Sequence, residues 1–133
     1  MFELHPTLEK DSIPVTETDG LLIRLINDAR FPWLLIVPKV DGATELHDLT
    51  DHEYAAVMAM ARSLGKVLKH AFDADKINTA AIGNMVPQLH IHVVARTRGD
   101  DAWPGPVWGA GTMVPMSDDE AARRIGLVRS ALG

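Results

Sequence analysis

Asn84-Met-Val-Pro-Gln88-Leu-His90-Ile-His92-Val-Val-Ala-Arg96 is the stretch on which the reading of this chain turns. The β-branched residues Ile91, Val93 and Val94 predict a strand over Leu89 to Ala95. Successive side chains of a strand point to opposite faces. Leu89, Ile91 and Val93 therefore face one way, as a surface for a helix to pack on. Gln88, His90 and His92 face the other, three hydrogen-bonding groups in a row. Alternate Cα atoms along a strand are about 6–7 Å apart, so both imidazoles can reach one small ligand. Pro87 offers no N–H, which places it at the first residue of the strand or on an edge.

Further strands are expected on either side of this one. Leu21 to Ile26 follows Asp19-Gly20, a hairpin-type pair, and an N-terminal hairpin partner around Ile13–Val15 is expected. Trp33 to Val37 is a short apolar run ended by Pro38, and Ile77 to Ile82 is a weaker candidate because of its alanines. Two capping signatures start helices. Thr50-Asp-His-Glu53 is a capping box, followed by Tyr54, Val57, Met58, Ala61, Leu64 and Leu68 in one stripe, which predicts a helix from about Asp51 to Phe72. Ser117-Asp-Asp-Glu120 starts a shorter one, with Ala121, Ile125, Val128 and Leu132 on its apolar side. Strands grouped before a long helix, then two strands and a terminal helix, predict an α+β fold with an antiparallel sheet.

The 133 residues suit one domain, 1–133. No apolar run approaches the roughly 20 residues that span a bilayer, and residues 1–6 lack the basic and apolar regions of a signal peptide. Membrane partners are not expected. The chain has no Cys, which excludes disulfides, thiolate zinc sites and Cys nucleophiles and fits a cytoplasmic protein. A formal charge of −5 argues against nonspecific nucleic-acid binding but leaves a small anionic ligand open.

Three chemistries fit the row of Gln88, His90 and His92. It can be a polar, solvated sheet face. It can be a metal pair, which needs a third ligand that the spacing of Asp100, Asp101 or His47 does not specify. It can act on a phosphate: a neutral imidazole attacks phosphorus, a second, protonated imidazole holds an oxygen or supplies a proton, and an amide donates an N–H to an anionic oxygen.

Gln88-Leu-His-Ile-His-Val-Val94 resembles the signature of the histidine-triad (HIT) family, His-φ-His-φ-His-φ-φ, with Gln in the first position. Leu25-Ile-Asn27, Phe31 to Lys39 and Glu45-Leu-His-Asp-Leu-Thr50 also look like that family's strand–strand–helix core, so the resemblance covers roughly residues 20 to 96. It implies a HIT-like fold with about five antiparallel strands, one long central helix and a shorter C-terminal one, usually as a homodimer. It implies nucleotide hydrolase or nucleotidyl transferase activity at the α-phosphate of dinucleoside polyphosphates, nucleoside phosphoramidates or related nucleotides. His90 matches the family's nucleophile, and His92 the His that contacts phosphate oxygens. Gln88 would keep a hydrogen-bonding role. Asn27 falls where the family places a ribose contact, with Asp28 beside it, and Asn84 where polar groups meet the phosphate. The resemblance does not firmly imply any cofactor and leaves room for a divalent cation bound with the substrate.

Gln88 takes up no proton near neutral pH, and Trp33 stands where many members carry a His beside the site. Both bear on hydrolysis, and both suit a non-catalytic purine-nucleotide-binding protein as the alternative. A metal-dependent enzyme using the His pair is the third. Trp103 and Trp108, in a turn-rich loop over Gly99 to Pro106 and just beyond it, suit either stacking on a base or anchoring the loop. Lys39, Arg96 and Arg98 are read as phosphate-facing or plain surface charges, and His5, His47, His52 and His70 as exposed.

Overall fold

A computed structural model describes residues 1–133. In chain order the elements are α1 (Pro6–Asp11), β1 (Ser12–Thr18), β2 (Leu21–Ile26), β3 (Trp33–Pro38), a 3₁₀ turn (Leu46–Asp48), α2 (Asp51–Ala71), β4 (Lys76–Ala80), β5 (Ile91–Arg96) and α3 (Asp118–Leu132). The five strands form one sheet in the order β1-β2-β3-β5-β4, with every neighbouring pair antiparallel. The fold is the expected α+β arrangement.

The capping box at the start of α2 is formed as the sequence predicts: Thr50 Oγ1 accepts from the Glu53 N–H, and Glu53 Oε1 accepts from the Thr50 N–H. One face of the sheet packs on α2. Ile23, Leu25, Leu34, Ile36, Ile91 and Val93 meet Val57, Ala61, Leu64 and Leu68 there, with Val128 of α3 closing the core. The apolar stripe of α2 is narrower than its sequence suggests. Tyr54 is 45% exposed and Met58 38%, because the sheet lies under the later turns of the helix.

The opposite face is not the solvated surface that its polar residues would allow. Phe31, Trp33, Leu35, Val37 and Val94 form a second, smaller core there, joined by Leu8 of α1, Val86 and Val107. β3 and β5 are thus buried on both faces.

Three boundaries differ from expectation. The helix α1 has no periodic stripe to announce it; its signal is local, with Pro6 in the first turn and His5 as N-cap, its Nδ1 accepting from the Thr7 N–H. β5 begins at Ile91, not Leu89, because Pro87 has no N–H and the Leu89 N–H is taken by the Ala43 carbonyl. β4 spans Lys76–Ala80, not Ile77–Ile82, since the ladder ends at the Ala80–His92 pair and the chain then turns at Gly83, whose φ of 68° suits glycine.

Candidate active site

The late start of β5 leaves His90 at the mouth of the strand and His92 inside it, opposite Leu35 of β3. The two rings are 4.9 Å apart at their centroids in an edge-on arrangement, and they are only 6% and 7% exposed. Both line a cavity of about 340 Å³. Its walls are Ile82 to Val86 on one side and Val107 to Gly111 on the other, with Trp33 and Arg30 adjoining. A larger hollow of about 550 Å³ lies between α2 and β4, lined by Arg62, Lys66, Lys69 and His70. It is more open and neither His90 nor His92 lines it, so the smaller cavity is the better candidate for chemistry.

Each imidazole has a defined partner on its Nδ1. His90 Nδ1 lies 2.7 Å from the Gln88 carbonyl oxygen. A carbonyl only accepts, so Nδ1 carries the proton and the Nε2 lone pair is unshared. His92 has the reverse pattern. The Trp33 indole N–H donates to its Nδ1 at 2.9 Å, so the ring's single proton sits on Nε2. Burial, assisted by the neighbouring His90 ring, lowers the His92 pKa to about 3. The reading of the second imidazole as a protonated group does not fit this arrangement; His92 is a neutral donor. Trp108 packs edge-on against both rings of the clamp, 5.2 Å from His92 and 6.3 Å from Trp33, and its own indole nitrogen is buried without a partner.

Among the other residues singled out from the sequence, Asn84 lines the cavity beside Gly83 and Met85. Gln88, Asn27, Asp28 and Trp103 do not line it, and each has another engagement. The Gln88 carboxamide faces the N-terminal segment: its oxygen accepts from the His5 N–H and its nitrogen donates to the Glu3 carbonyl, both at 2.8 Å. This is the pattern of a peptide group in a ladder. Asn27 Oδ1 accepts from the Met116 N–H. Asp28 is fully buried and accepts from the Arg30 guanidinium, the Arg30 N–H and the Val114 N–H. Burial alone would raise its pKa, but these bonds hold it below the usual carboxylate range. Asn27 and Asp28 thereby fasten the segment leading into α3. Trp103 stacks near Arg96, whose guanidinium lies 5.8 Å from its ring centroid.

Arg96 does lie on the His-bearing face, but it is neither a free phosphate ligand nor a surface charge; Asp100 matches it in the core. Lys39 pairs with Glu17 at the surface. Arg30, which no motif in the sequence marks, touches the cavity while its guanidinium holds Asp28 and the Ala110 carbonyl. Its only sequence signal is the Asp28-x-Arg30 pairing. Replacing Gln88 with Ala should free residues 1–5 and lower stability by about 1–2 kcal/mol, the worth of two partly exposed hydrogen bonds. Hydrogen exchange at the His5 amide is the measurement; unchanged protection there would contradict the bridging role.

Comparison with known proteins bears on the family and the fold. The HIT domain matches residues 7–99. A crystal structure of a histidine triad protein from Bradyrhizobium japonicum superposes with a TM-score of 0.96 and 37% identity, covering 99% of this chain and 98% of that one. A histidine triad protein from Sinorhizobium meliloti 1021 gives 0.95 and 39%, covering 98% and 96%. The AP-4-A phosphorylase of Mycobacterium tuberculosis H37Rv is 38% identical over 75 residues, which are 52% of this chain and 38% of the phosphorylase. The match thus spans well under half of that relative. With a domain match over most of its length and whole-chain likeness to two histidine triad proteins, this chain belongs to the HIT family.

Proposed function

We propose that the chain is a nucleotide hydrolase or nucleotidyl transferase that works at the α-phosphate through a covalent nucleotidyl-His90 intermediate. The observation that carries this is the His90 Nδ1 bond to the Gln88 carbonyl, which leaves Nε2 as a neutral nucleophile beside a cavity. In the first step the Nε2 lone pair forms an N–P bond, the bond from phosphorus to the leaving group breaks, and the leaving group takes that electron pair. The ring becomes a substituted imidazolium, and the Gln88 carbonyl stays on its Nδ1–H to stabilise the charge. In the second step water, or a phosphate acceptor, attacks phosphorus and the N–P pair returns to Nε2. With water, the proton lost goes to solvent. His92 Nε2–H donates to a non-bridging oxygen, and Asn84 with the backbone of Gly83 to Met85 supplies further polar groups to the anion.

Nucleotides activated at the α-phosphate are the proposed substrates: dinucleoside polyphosphates and related anhydrides first, with nucleoside phosphoramidates, whose amine has to leave with a proton, as the slower class. The partial likeness to an AP-4-A phosphorylase supports the first of these. Gln88, Asn27, Asp28 and Trp103 act at one remove in this reading: Gln88 presents its carbonyl, while the other three hold the loops around the cavity. We place the active protein in the cytoplasm as a homodimer. No helix is long and apolar enough to cross a membrane. A metal-dependent reading lacks a third ligand, since no group of three or more His, Cys, Asp or Glu side chains is placed to hold an ion. A non-catalytic nucleotide-binding protein is the second reading, favoured by Trp33 as the partner of His92 Nδ1, since an indole N–H neither takes up nor releases a proton near neutral pH.

The test is rapid acid-free quenching of the protein with diadenosine tetraphosphate and with an adenosine phosphoramidate, followed by mass spectrometry. An acid-labile adenylyl group on the peptide carrying His90 is expected. Tight AMP binding with no adduct and no turnover on either compound would favour the binding protein.

A further inference from the structure

The cavity holds few groups able to move a proton. Its lining contains no carboxylate, Lys, Tyr or Cys. Its titratable members are His90, His92 and Arg30. His90 is committed to attack, and its Nδ1–H to the Gln88 carbonyl. Arg30, from the turn between β2 and β3, is held by both oxygens of Asp28 and by the Ala110 carbonyl, and a guanidinium releases no proton near neutrality. Farther along β5, Arg96 is closed off by Asp100. The loops of residues 82–86 and 107–113 bring no charged side chain to the rings. His92 is therefore the remaining candidate for an acid, and Trp33 removes it from that role. A cation at His92 needs protons on both nitrogens, yet Nδ1 already faces an indole N–H at 2.9 Å. An indole nitrogen donates and never accepts, so a second proton on Nδ1 would point at a hydrogen.

We infer that Trp33 fixes His92 as a neutral Nε2–H donor and so restricts this site to α-phosphate leaving groups that depart as stable oxyanions, phosphoric or acyl anhydrides rather than amines. This rests on the nucleotidyl-transfer reading of the same cavity. When His90 Nε2 attacks an anhydride, the breaking P–O bond leaves its electron pair on a phosphate or carboxylate oxygen, which needs no proton. When it attacks a phosphoramidate, the P–N pair has to leave with a proton, because an amide anion is too basic to depart. A neutral imidazole N–H holds an oxygen well and is a poor source of that proton. Trp33 is a positioning residue here: it acts on the substrate only through His92.

Two measurements test this. Nitrogen-15 spectra of the histidine rings in the intact wild-type protein read the tautomer directly and need no substrate. His92 should keep Nδ1 bare and Nε2 protonated from about pH 5 to 8, the range in which a free imidazole titrates. Kinetics then compare diadenosine tetraphosphate with adenosine 5′-phosphoramidate bearing a primary alkylamine. Both give the same adenylyl-His90, so their difference reports the leaving group, in its binding and its departure, and the change in that difference on altering Trp33 reports the departure. Wild-type kcat/KM should favour the anhydride by about 100-fold or more, the usual worth of a missing general acid. Trp33→Gln, whose amide oxygen accepts from Nδ1–H, should raise the phosphoramidate-to-anhydride ratio about tenfold or more and introduce a low-pH increase in phosphoramidate turnover. A His92 that titrates between pH 5 and 8 in the wild type, or equal rates on the two compounds, would overturn the inference. If neither compound reacts while His92 keeps its fixed tautomer, the nucleotidyl-transfer reading falls, and the leaving-group selectivity with it. The wild-type measurements decide the matter even if the Trp33 variant fails to fold.

Discussion

Replacing His90 with Ala should lower turnover of any nucleotide substrate by roughly 10⁴-fold to 10⁶-fold, the range produced when a nucleophile is removed from an otherwise intact site. The expectation follows from how little else in the cavity can attack phosphorus. His92 has its Nδ1 occupied by the Trp33 N–H, and its Nε2 carries the ring's proton, so neither lone pair is available. No Ser, Cys, Asp or Glu lines the cavity to act in its place. Nucleotide affinity should fall by much less, because the polar walls at Gly83 to Met85 and the aromatic wall at Trp108 remain. His90→Gly with added imidazole is the informative companion. A free imidazole fits the space vacated by the ring and should restore part of the rate, as it restores the missing lone pair. Steady-state kinetics on the substrate identified by the quench experiment, with calorimetric AMP binding, separate the two effects. A His90→Ala protein that turns over at the wild-type rate would sink the covalent route.

The fold and the His pair were readable because they depend on local, periodic signals. Alternation along Leu89 to Ala95 gives the two faces of β5, and the capping box at Thr50 and the N-cap at Ser117 mark helix starts that the structure confirms to the residue. What sequence could not supply are partnerships between distant residues. Gln88 and His5 are 83 positions apart, and Met116 and Asn27 are 89 apart. Asn27 was placed at the ribose by resemblance, yet its Oδ1 is the acceptor that seats the approach to α3. The buried second face follows from the same limit. Polar residues on a strand imply solvent unless loops from elsewhere cover them, and here α1 and the segment after β5 do so. Trp33 was legible as a departure. Its consequence was not, because only the diagonal placement of β3 against β5 shows which nitrogen of His92 the indole meets.

The second large effect concerns stability, at Asp100. Arg96 is 1% exposed, and both oxygens of Asp100 accept from its guanidinium at 2.9 Å. Asn78 Oδ1 takes a third guanidinium hydrogen, and the charge lies 5.5 Å from the Phe31 ring centroid. Asp100 also accepts from the Thr97, Ala102 and Trp103 N–H groups, so one carboxylate both neutralises a buried cation and shapes the loop after β5. Asp100→Ala removes these acceptors and leaves Arg96 buried without its counter-charge, which should lower unfolding free energy by about 3–5 kcal/mol. The double variant Asp100→Ala with Arg96→Met should recover a substantial part of that loss, because it removes the stranded charge and keeps an apolar stem in place. Urea denaturation measures both, and a single-variant loss under about 1 kcal/mol would mean that water already compensates the pair. The pH dependence has a definite sign. Burial pushes the Asp100 carboxyl up, but the bonds from Arg96 and the backbone win and hold it below its ordinary value near 4. A depressed carboxylate stabilises the fold above its unfolded pKa and loses that contribution as pH falls through the folded one. The gap between wild type and Asp100→Ala should therefore be full at neutral pH and shrink below about pH 4. The same variant reaches the His pair. The loop that Asp100 organises runs on to Val107 and Trp108, which wall the cavity, so its loosening should weaken the near-UV signal of the Trp33–Trp108 pair and raise KM before it alters the chemistry at His90.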